Sequence, residues 1–259
     1  MDTSYEITSS AAMHDVLTTA RKVATSDLGV IIIGEHGAGK EWLARIIHRL
    51  SRRNNGPFWP FDCAAISPQD IEKELFGSEE IERNGITIRR GAFEEARLGT
   101  LLLNEVDSLP SATQLKVSRA IEFKSIHRIG NEKMMPIDVR VIATLSQPAN
   151  PLIDEGTLSK DMFYRIGPII LEIPPLRTRK EDIPRLIDKI LRELQNDNGN
   201  TFKEIGADAL NLCLHYDWPG NVRQLKNAME YASVMATDSL ILPEHLPGYL
   251  QNRHNGKTV

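Results

Sequence analysis

The first two thirds of the chain alternate short apolar runs with stretches of helical periodicity. Several runs are apolar throughout, which is typical of strands buried on both faces of a parallel sheet. The candidate strands are Val30–Ile33, Pro57–Phe61, Leu101–Leu103, Val139–Ala143 and Ile169–Ile173. Between the first two, the segment Glu41–Leu50 carries its apolar residues on one helical face. This strand–helix–strand order predicts a doubly wound α/β sheet.

The last third of the chain changes to a helical pattern. Three segments have helical periodicity, namely Asp182–Leu194, Gly206–Tyr216 and Asn221–Met235. The polar stretch Gln195–Asn200 predicts a loop, and Asn221 with Gln224 predicts an N-cap and its capping-box partner. The segment Pro174–Arg179 marks the boundary, so we expect an α/β subdomain over residues 1–175, a helical subdomain over 176–250 and a disordered tail over 251–259.

Composition narrows the class of protein. The 259 residues are 41% hydrophobic and 25% charged, with a formal net charge of −4, so the domain does not have the basic excess of a nucleic-acid-binding surface. Any DNA contact is expected on a separate module. Two cysteines, Cys63 and Cys213, support neither a disulfide framework nor a metal site. This cysteine usage makes a reduced, cytoplasmic setting the expectation. No apolar run approaches the ~20 residues of a membrane span.

A phosphate-binding loop follows the first predicted strand. Its residues are Gly34, Glu35, His36, Gly37, Ala38, Gly39 and Lys40. Glycines allow successive backbone N–H groups to point inward as an anion nest, and the next helix presents its N-terminus to the same anion. Lys40 adds a positive charge for the outer phosphates. The alternative, a chance glycine-rich turn, does not explain why strand, loop, lysine and helix are in register. The pattern predicts a site for ATP or ADP.

A second acidic site is predicted where the apolar strand Leu101–Leu103 ends in Asn104 and Glu105. This resembles a Walker B strand, in which the glutamate polarises the attacking water. The preceding residue, usually Asp, is Asn104, which can hold Mg²⁺ only weakly through a water. Glu41 also replaces the Ser or Thr that ligates magnesium in most P-loops. The alternative for Glu105 is a solvated carboxylate at a strand end.

At this point the sequence resembles the central AAA+ domain of bacterial enhancer-binding proteins, the sigma-54 activators. The resemblance covers nearly the whole chain and rests on short matches in the same order. They are Gly34–Glu41, Asp62–Ala65, Glu74–Gly77, Gly91–Glu94, Gly99–Glu105, Asp138–Ala143, Asp161–Ile166, Pro174–Arg177, Glu181–Ile183 and Trp218–Arg223. Glu41, unusual in P-loops generally, is normal in this family.

The resemblance implies roles for two arginines. Arg165 matches an arginine finger that reaches the nucleotide of a neighbouring subunit, which implies a homo-oligomeric ring, hexameric or heptameric. Arg223 matches the sensor arginine of the helical lid, which contacts phosphate in its own subunit. The planar guanidinium suits both roles because its donors complement phosphate oxygens. For each arginine, the alternative is an internal salt bridge.

The sequence departs from the family at the loop that engages sigma-54. Members carry GAFTGA on this loop, but nothing in residues 78–90 matches it, and charged residues replace the glycines and the phenylalanine. A loop without an aromatic residue cannot insert one into a partner, so we expect ordinary sigma-54 activation to be lost. Residues 86–88 could form a short β-ribbon instead, or a contact for another partner.

Other departures fall at catalytic positions. The family has Asn where this chain has Asp62 and Asp where it has Asn104, so the two residue types are exchanged. Independent drift and a compensated exchange both explain this; if Asp62 faces Glu105, one carboxyl should hold its proton more tightly. The sensor pair after the fourth strand is weakened or shifted in Thr144–Ser146, and Ser159 replaces a second family arginine.

Two functional interpretations remain at this stage. One is a nucleotide-dependent oligomeric ATPase that regulates transcription, with slow hydrolysis. The other is a non-catalytic, nucleotide-gated interaction module that acts as a repressor or with the housekeeping sigma factor. RNA polymerase or a sigma factor is the candidate partner in either case. A P-loop kinase or metabolic enzyme is disfavoured, because no substrate-pocket motif is present.

Overall fold

A computed structural model describes residues 8–82, 85–198 and 203–251. The helices are α1 Ala11–Ala24, α2 Lys40–Arg49, α3 Ile71–Phe76, α4 Ala92–Glu95, α5 Ser111–Phe123, α6 Ala149–Asp154, α7 Lys160–Ile166, α8 Ile183–Asn198, α9 Ala207–His215, α10 Asn221–Met235 and α11 Gly248–Gln251. The strands are β1 Val30–Ile33, β2 Phe58–Asp62, β3 Ser78–Glu82, β4 Gly85–Arg89, β5 Thr100–Asn104, β6 Ser125–Ile126, β7 Met135–Pro136, β8 Arg140–Leu145, β9 Ile169–Glu172, β10 Glu204–Ile205 and β11 Leu240–Ile241.

The chain divides into two compact units. One contains the described residues of the ranges 1–17, 35–39 and 174–259, and the other contains residues 18–34 and 40–173. The second unit holds a five-stranded parallel sheet in the order β2-β5-β8-β1-β9. Helices flank this sheet, so the predicted α/β class is confirmed. The first unit contains the helical lid, which is built from α8 to α11 together with the two-residue parallel pair β10–β11.

Burial along the sheet differs between its centre and its edges. The central strands β1 and β8 are buried at every position, as their continuous apolar runs predict. The edge strands β2 and β9 expose several residues, because one side of each strand has no neighbour to cover it. The expectation of strands buried on both faces therefore holds for the centre of the sheet only.

A buried arginine fastens the start of β8 to the end of α1. Arg140 is 1% exposed and donates to three carbonyl oxygens, those of Val23, Ala24 and Leu28, at 3.0, 3.3 and 3.1 Å. The last carbonyls of a helix have no partner within the helix, and a guanidinium satisfies them while complementing the helix dipole. Arg140 thereby satisfies groups that would otherwise be buried without partners.

Two local expectations in the lid are wrong. The loop predicted over Gln195–Asn200 is helical as far as Asn198, because α8 continues beyond its apolar stripe. Residues 199–200 lie outside the described part of the chain, as does the predicted tail from residue 252 onward. Asn221 is not an N-cap; it is the first residue of α10 and Gly220 takes the cap position.

Candidate functional site

The phosphate-binding loop joins β1 to α2. Gly34 follows the strand and donates its N–H to the carbonyl of Leu145 at 3.1 Å. Gly37 and Gly39 have φ values of 75° and 106°, in the region that favours glycine. Lys40 is the first residue of α2, and its Nζ donates to the carbonyl of Gly34 at 2.6 Å. This bond places the ammonium group beside the first residue of the loop.

The same loop packs against the start of α10 within the lid unit. The carbonyl of Gly37 accepts N–H groups from Val222 at 3.0 Å and from Arg223 at 3.3 Å. A Cβ at Gly37 would lie 2.3 Å from the carbonyl oxygen of Gly220. Only glycine fits there, so Gly37 is required for this close approach as well as for its backbone conformation.

The side chain of Asn221 does not cap α10, because it makes contacts with distant segments of the chain. Its side chain is fully buried, and its Oδ1 accepts the N–H of Leu176 at 2.8 Å. Its Nδ2 donates to Glu35 Oε2 and to the carbonyl of His36, both at 3.1 Å. Gln224 does reach back as a capping residue, but it accepts the N–H of Gly220 at 3.0 Å. Asn221 is therefore a tertiary connector between the loop and the lid helices.

Two further arginines hold the loop from the proline-rich segment. Arg177 makes two hydrogen bonds to Glu35, at 2.6 and 2.8 Å. These bonds, and then the one from Asn221, lower the pKa of the Glu35 carboxyl to about 2. Arg179 is 4% exposed and donates to the carbonyl of Ala38 at 2.8 Å. The match of Pro174–Arg177 to the family was visible in sequence, but these contacts were not.

Two other residues of this unit have exposed side chains. The His36 side chain is exposed, and its backbone carbonyl serves Asn221. Arg223 is exposed and forms no ion pair with any residue that the structure describes, unlike the internal salt bridge considered as its alternative. Its position one turn into α10, beside Gly37, leaves the guanidinium accessible.

The second site lies at the carboxyl ends of β5 and β8. Glu105 follows β5 in a left-handed conformation with φ 53° and ψ 54°, which is unusual for a residue with a side chain. Its backbone N–H donates to Thr144 Oγ1 at 3.0 Å, and Thr144 Oγ1 donates to Asn104 Oδ1 at 3.3 Å. Ser146 Oγ donates to Glu105 Oε1 at 3.4 Å. The residues of the altered sensor segment therefore contact the Walker B pair.

Asp62 lies beside Asn104, since β2 and β5 pair these two residues in register. Asp62 is exposed, and its Oδ1 accepts the N–H of Ala64 at 3.0 Å. The next residue, Cys63, is buried; burial and then the charges of Asp62, Asp107 and Glu105 raise its thiol pKa. Cys213 is also buried, which raises its pKa to about 12. Burial therefore keeps both thiols protonated near neutral pH.

Arg165 has partners within its own subunit. It pairs with Glu122 at 3.1 Å and with Asp161 at 3.6 Å, and its side chain remains 36% exposed. This is the salt bridge that sequence analysis left open as the alternative to an arginine finger. Ser159, at the position of the second family arginine, caps α7 by accepting the N–H of Met162 at 3.4 Å.

A β-hairpin replaces the sigma-54 loop. Strands β3 and β4 pair antiparallel, with Ser78 opposite Arg89 and Glu79 opposite Ile88. The β-ribbon alternative for residues 86–88 is therefore correct. Ile86 and Ile88 are 61% and 52% exposed.

The base of this hairpin is tied to the segment that follows β6. Glu79 donates its backbone N–H to Ile129 at 2.8 Å, and its carboxylate accepts from Asn131 Nδ2 at 2.6 Å. Arg128 pairs with Glu94 at 2.6 Å and approaches Glu79 at 3.9 Å. The hairpin therefore has a fixed base made of backbone and ionic contacts.

Neither a membrane helix nor a metal cluster is evident in the described ranges. None of the described helices combines the length and apolarity needed to cross a bilayer. The described residues also contain no group of three or more His, Cys, Asp or Glu side chains that could hold a metal ion.

A parallel sheet with a P-loop after β1 and a helical lid defines the class of an AAA+ nucleotide-binding domain. Models of two families match the chain, the sigma-54 interaction domain over residues 7–172 and the AAA+ ATPase lid domain over residues 177–259. The chain belongs to the sigma-54 interaction domain family, as the resemblance implied.

The relatives include named transcriptional regulators. The regulatory protein AtoC of Escherichia coli is 40% identical over 93% of this chain and 52% of its own length. The transcriptional regulatory protein ZraR of Salmonella typhimurium is 39% identical over 93% of this chain and 55% of its own length. The chain thus spans about half the length of the curated relatives it matches.

A solved structure of a relative extends the comparison to ligands. The structure of NtrX from Brucella abortus in complex with ATP superposes with a TM-score of 0.87, at 35% identity, over 94% of this chain and 54% of that one. The same protein in complex with ADP gives a TM-score of 0.86, at 35% identity, over 94% of this chain and 55% of that one.

Proposed function

We propose that this domain binds ATP and ADP at the loop Gly34–Lys40 and regulates transcription as a nucleotide-dependent homo-oligomer. Hydrolysis is slow, and sigma-54 is not activated in the ordinary way. The observation that carries the proposal is the loop itself, with two glycines at positive φ and a 2.6 Å hydrogen bond from Lys40 Nζ to the carbonyl of Gly34. NtrX, which is similar over most of this chain, binds both nucleotides in its solved structures.

Slow hydrolysis follows from the second site. Glu105 is the candidate general base, and Ser146 donates to its carboxylate at 3.4 Å. Asn104, the residue before Glu105, stands where the family has a carboxylate. This exchange removes one negative charge from the carboxyl end of β5. Arg165, as the candidate finger, must exchange its contacts with Glu122 and Asp161 for a nucleotide in another subunit. Both features raise the barrier without affecting the phosphate cradle.

Loss of sigma-54 activation follows from the hairpin. The family loop carries a phenylalanine between glycines, whereas the exposed apolar residues among the hairpin side chains that the structure describes are Ile86 and Ile88, both on a strand. A paired strand with a tied base cannot adopt the conformations of a glycine-flanked loop. RNA polymerase or another sigma factor remains the candidate partner, and DNA binding requires a separate module.

The second candidate function is a non-catalytic module in which bound nucleotide sets only the assembly state. The internal salt bridges of Arg165 favour it, because they occupy the side chain that would otherwise complete a neighbour's site. In that case the assembled protein regulates transcription through its arrangement on DNA, either as a repressor or together with the housekeeping sigma factor.

Three measurements separate these candidates. Calorimetry with ATP and ADP tests binding; sizing with and without nucleotide tests assembly; phosphate release at saturating ATP tests turnover. Slow but nucleotide-saturable release supports the ATPase, and assembly without release supports the non-catalytic module. A binding assay with purified sigma-54 tests the loop. The proposal would be contradicted if calorimetry detected no binding of either nucleotide. It would also be contradicted if turnover equalled that of an activator that carries GAFTGA.

A further inference from the structure

A buried hydroxyl fixes the orientation of the Asn104 amide. Thr144 is fully buried, and its Oγ1 accepts the backbone N–H of Glu105 at 3.0 Å. Its single proton needs an acceptor that is not water, and Asn104 Oδ1 lies 3.3 Å away. A threonine hydroxyl can accept the N–H of Glu105 and at the same time donate its own proton to Asn104 Oδ1. The hydrogen-bond network therefore assigns Oδ1 to the Thr144 side and Nδ2 to the opposite side of the amide.

This orientation matters for a divalent cation. Mg²⁺ binds oxygen and keeps several waters, and each bound water donates protons and so needs acceptors. A carboxylate at position 104 would offer an acceptor oxygen at both ends and a negative charge. Asn104 offers a neutral oxygen that is turned towards Thr144, which engages one of its two lone pairs, and an NH₂ group that is only a donor. The amide end directed away from Thr144 therefore offers no acceptor to a metal-bound water.

The phosphate-binding loop does not compensate for this loss. Glu41, where other P-loops have a hydroxyl ligand, is bound by its own helix, since Arg45 Nε and Nη2 donate to Glu41 Oε1 at 3.0 and 2.6 Å. Asp62, the carboxylate nearest in register to Asn104, has Oδ1 engaged by the N–H of Ala64. The residue at position 104 therefore lacks the anionic oxygen that would fit Mg²⁺ and its bound waters.

We propose that this domain binds nucleotide without help from Mg²⁺, and that Thr144 is the positioning residue that keeps the Asn104 amide turned away from a cation. This inference rests on the proposed nucleotide binding and adds to it the form of the ligand, which is free ATP or ADP as well as the magnesium complex. The phosphate charge is then balanced by Lys40 and by the backbone amides of the loop.

The test is the affinity for ATP and ADP, measured by calorimetry in excess Mg²⁺ and again in EDTA. For the unaltered domain we expect affinities that agree within about threefold. Asn104→Asp restores an anionic acceptor, and we expect Mg²⁺ to raise its ATP affinity by about tenfold or more. Asn150→Asp is the matched control, because it adds the same charge at an exposed position of α6; it should behave like the unaltered domain.

Thr144 is tested by a pair of variants. Thr144→Val keeps the shape of the side chain but replaces the hydroxyl donor with a methyl group. The Asn104 amide then loses the hydrogen bond that keeps its oxygen on the Thr144 side, so the oxygen can turn outward. We expect Mg²⁺ to raise the ATP affinity of this variant by about threefold to tenfold. Thr144→Ser keeps the hydroxyl, so its ATP affinity should be the same in Mg²⁺ and in EDTA, as for the unaltered domain. Melting temperatures of all variants show whether they are folded. A merely structural role of Thr144 would change stability without changing the ratio of the two affinities.

Different outcomes overturn different claims. If the unaltered domain binds ATP much more tightly with Mg²⁺, the inference is wrong while the nucleotide site stands. If Asp62→Asn then removes that effect, the metal is held by Asp62 and the charge has moved between the two strands. If neither nucleotide binds with or without Mg²⁺, the proposed function itself fails.

Discussion

The phosphate-binding loop and the catalytic edge of the same sheet differ in what they are made of. The loop presents backbone N–H groups, and glycines and one lysine suffice to build it. The edge at Asn104 and Glu105 depends on side chains, each of which must supply a particular charge or proton. A backbone cradle can carry side chains as different as those of Glu35 and His36, whereas one amide in place of a carboxylate changes the chemistry at the carboxyl end of β5. Binding and turnover are thus separable in this fold.

The strongest test of this comparison is Lys40→Ala. The ammonium group is the only side-chain cation that the loop itself contributes, and removing it leaves the phosphate charge without its closest partner. We expect ATP and ADP affinity to fall by about a hundredfold or more. Lys189→Ala, on the exposed face of α8 with a 3.6 Å contact to Glu193, is the control and should bind normally. Unchanged affinity in Lys40→Ala would mean that nucleotide does not bind at this loop.

The second test concerns the attachment of the loop to the lid. Asn221→Ala removes three hydrogen bonds and leaves the N–H of Leu176 buried without its acceptor. We expect the free energy of unfolding to fall by about 2–3 kcal/mol. Urea denaturation measures this, with Asn150→Ala as the control for an exposed asparagine. A loss below about 0.5 kcal/mol, the usual limit for surface positions, would show that these bonds do not hold the loop.

The contrast also explains what sequence could predict. The apolar runs located all five strands of the main sheet within one or two residues, because buried strands have few alternatives to a continuous apolar stretch. The loop Gly34–Lys40 was recognised because its pattern is local. Contacts between distant segments were not predictable, since Asn221 and Leu176 lie 45 residues apart and nothing near Asn221 indicates its partner.

The same limit applies to the catalytic edge. The sequence suggested that the sensor pair at Thr144–Ser146 was weakened or shifted, because only residue types were visible. The parallel pairing of β5 and β8 carries the Thr144 hydroxyl to Asn104 and the backbone of Glu105. Arg140 was missed for a similar reason, because its three carbonyl partners belong to α1 and the turn after it. A side-chain role that depends on which residues neighbouring strands bring together cannot be predicted from the sequence alone.

A third test asks whether the edge can be repaired. Asn104→Asp together with Asp62→Asn returns a carboxylate and an amide to the positions where the family has them. We expect phosphate release to rise by about tenfold, with ATP affinity in EDTA unchanged within about threefold. Glu105→Gln in the same background should remove the gain, because the candidate base is lost. No gain in the double variant would locate the barrier elsewhere, and Arg165 would be the next candidate.

The smallest expected effect is the pH response of the loop. The hydrogen bonds from Arg177 and Asn221 lower the pKa of Glu35 from an ordinary 4.5 to about 2. Because the folded state holds the carboxylate more strongly, this stabilisation is fully present above pH 4.5 and is lost as the pH falls towards 2. The group is partly exposed, so solvent and salt screen the pair. Melting temperature measured from pH 6 down to pH 3 should fall less steeply in Glu35→Gln than in the unaltered domain, and the difference should shrink in high salt. Parallel curves at low salt would mean that Arg177 and Glu35 do not interact in solution.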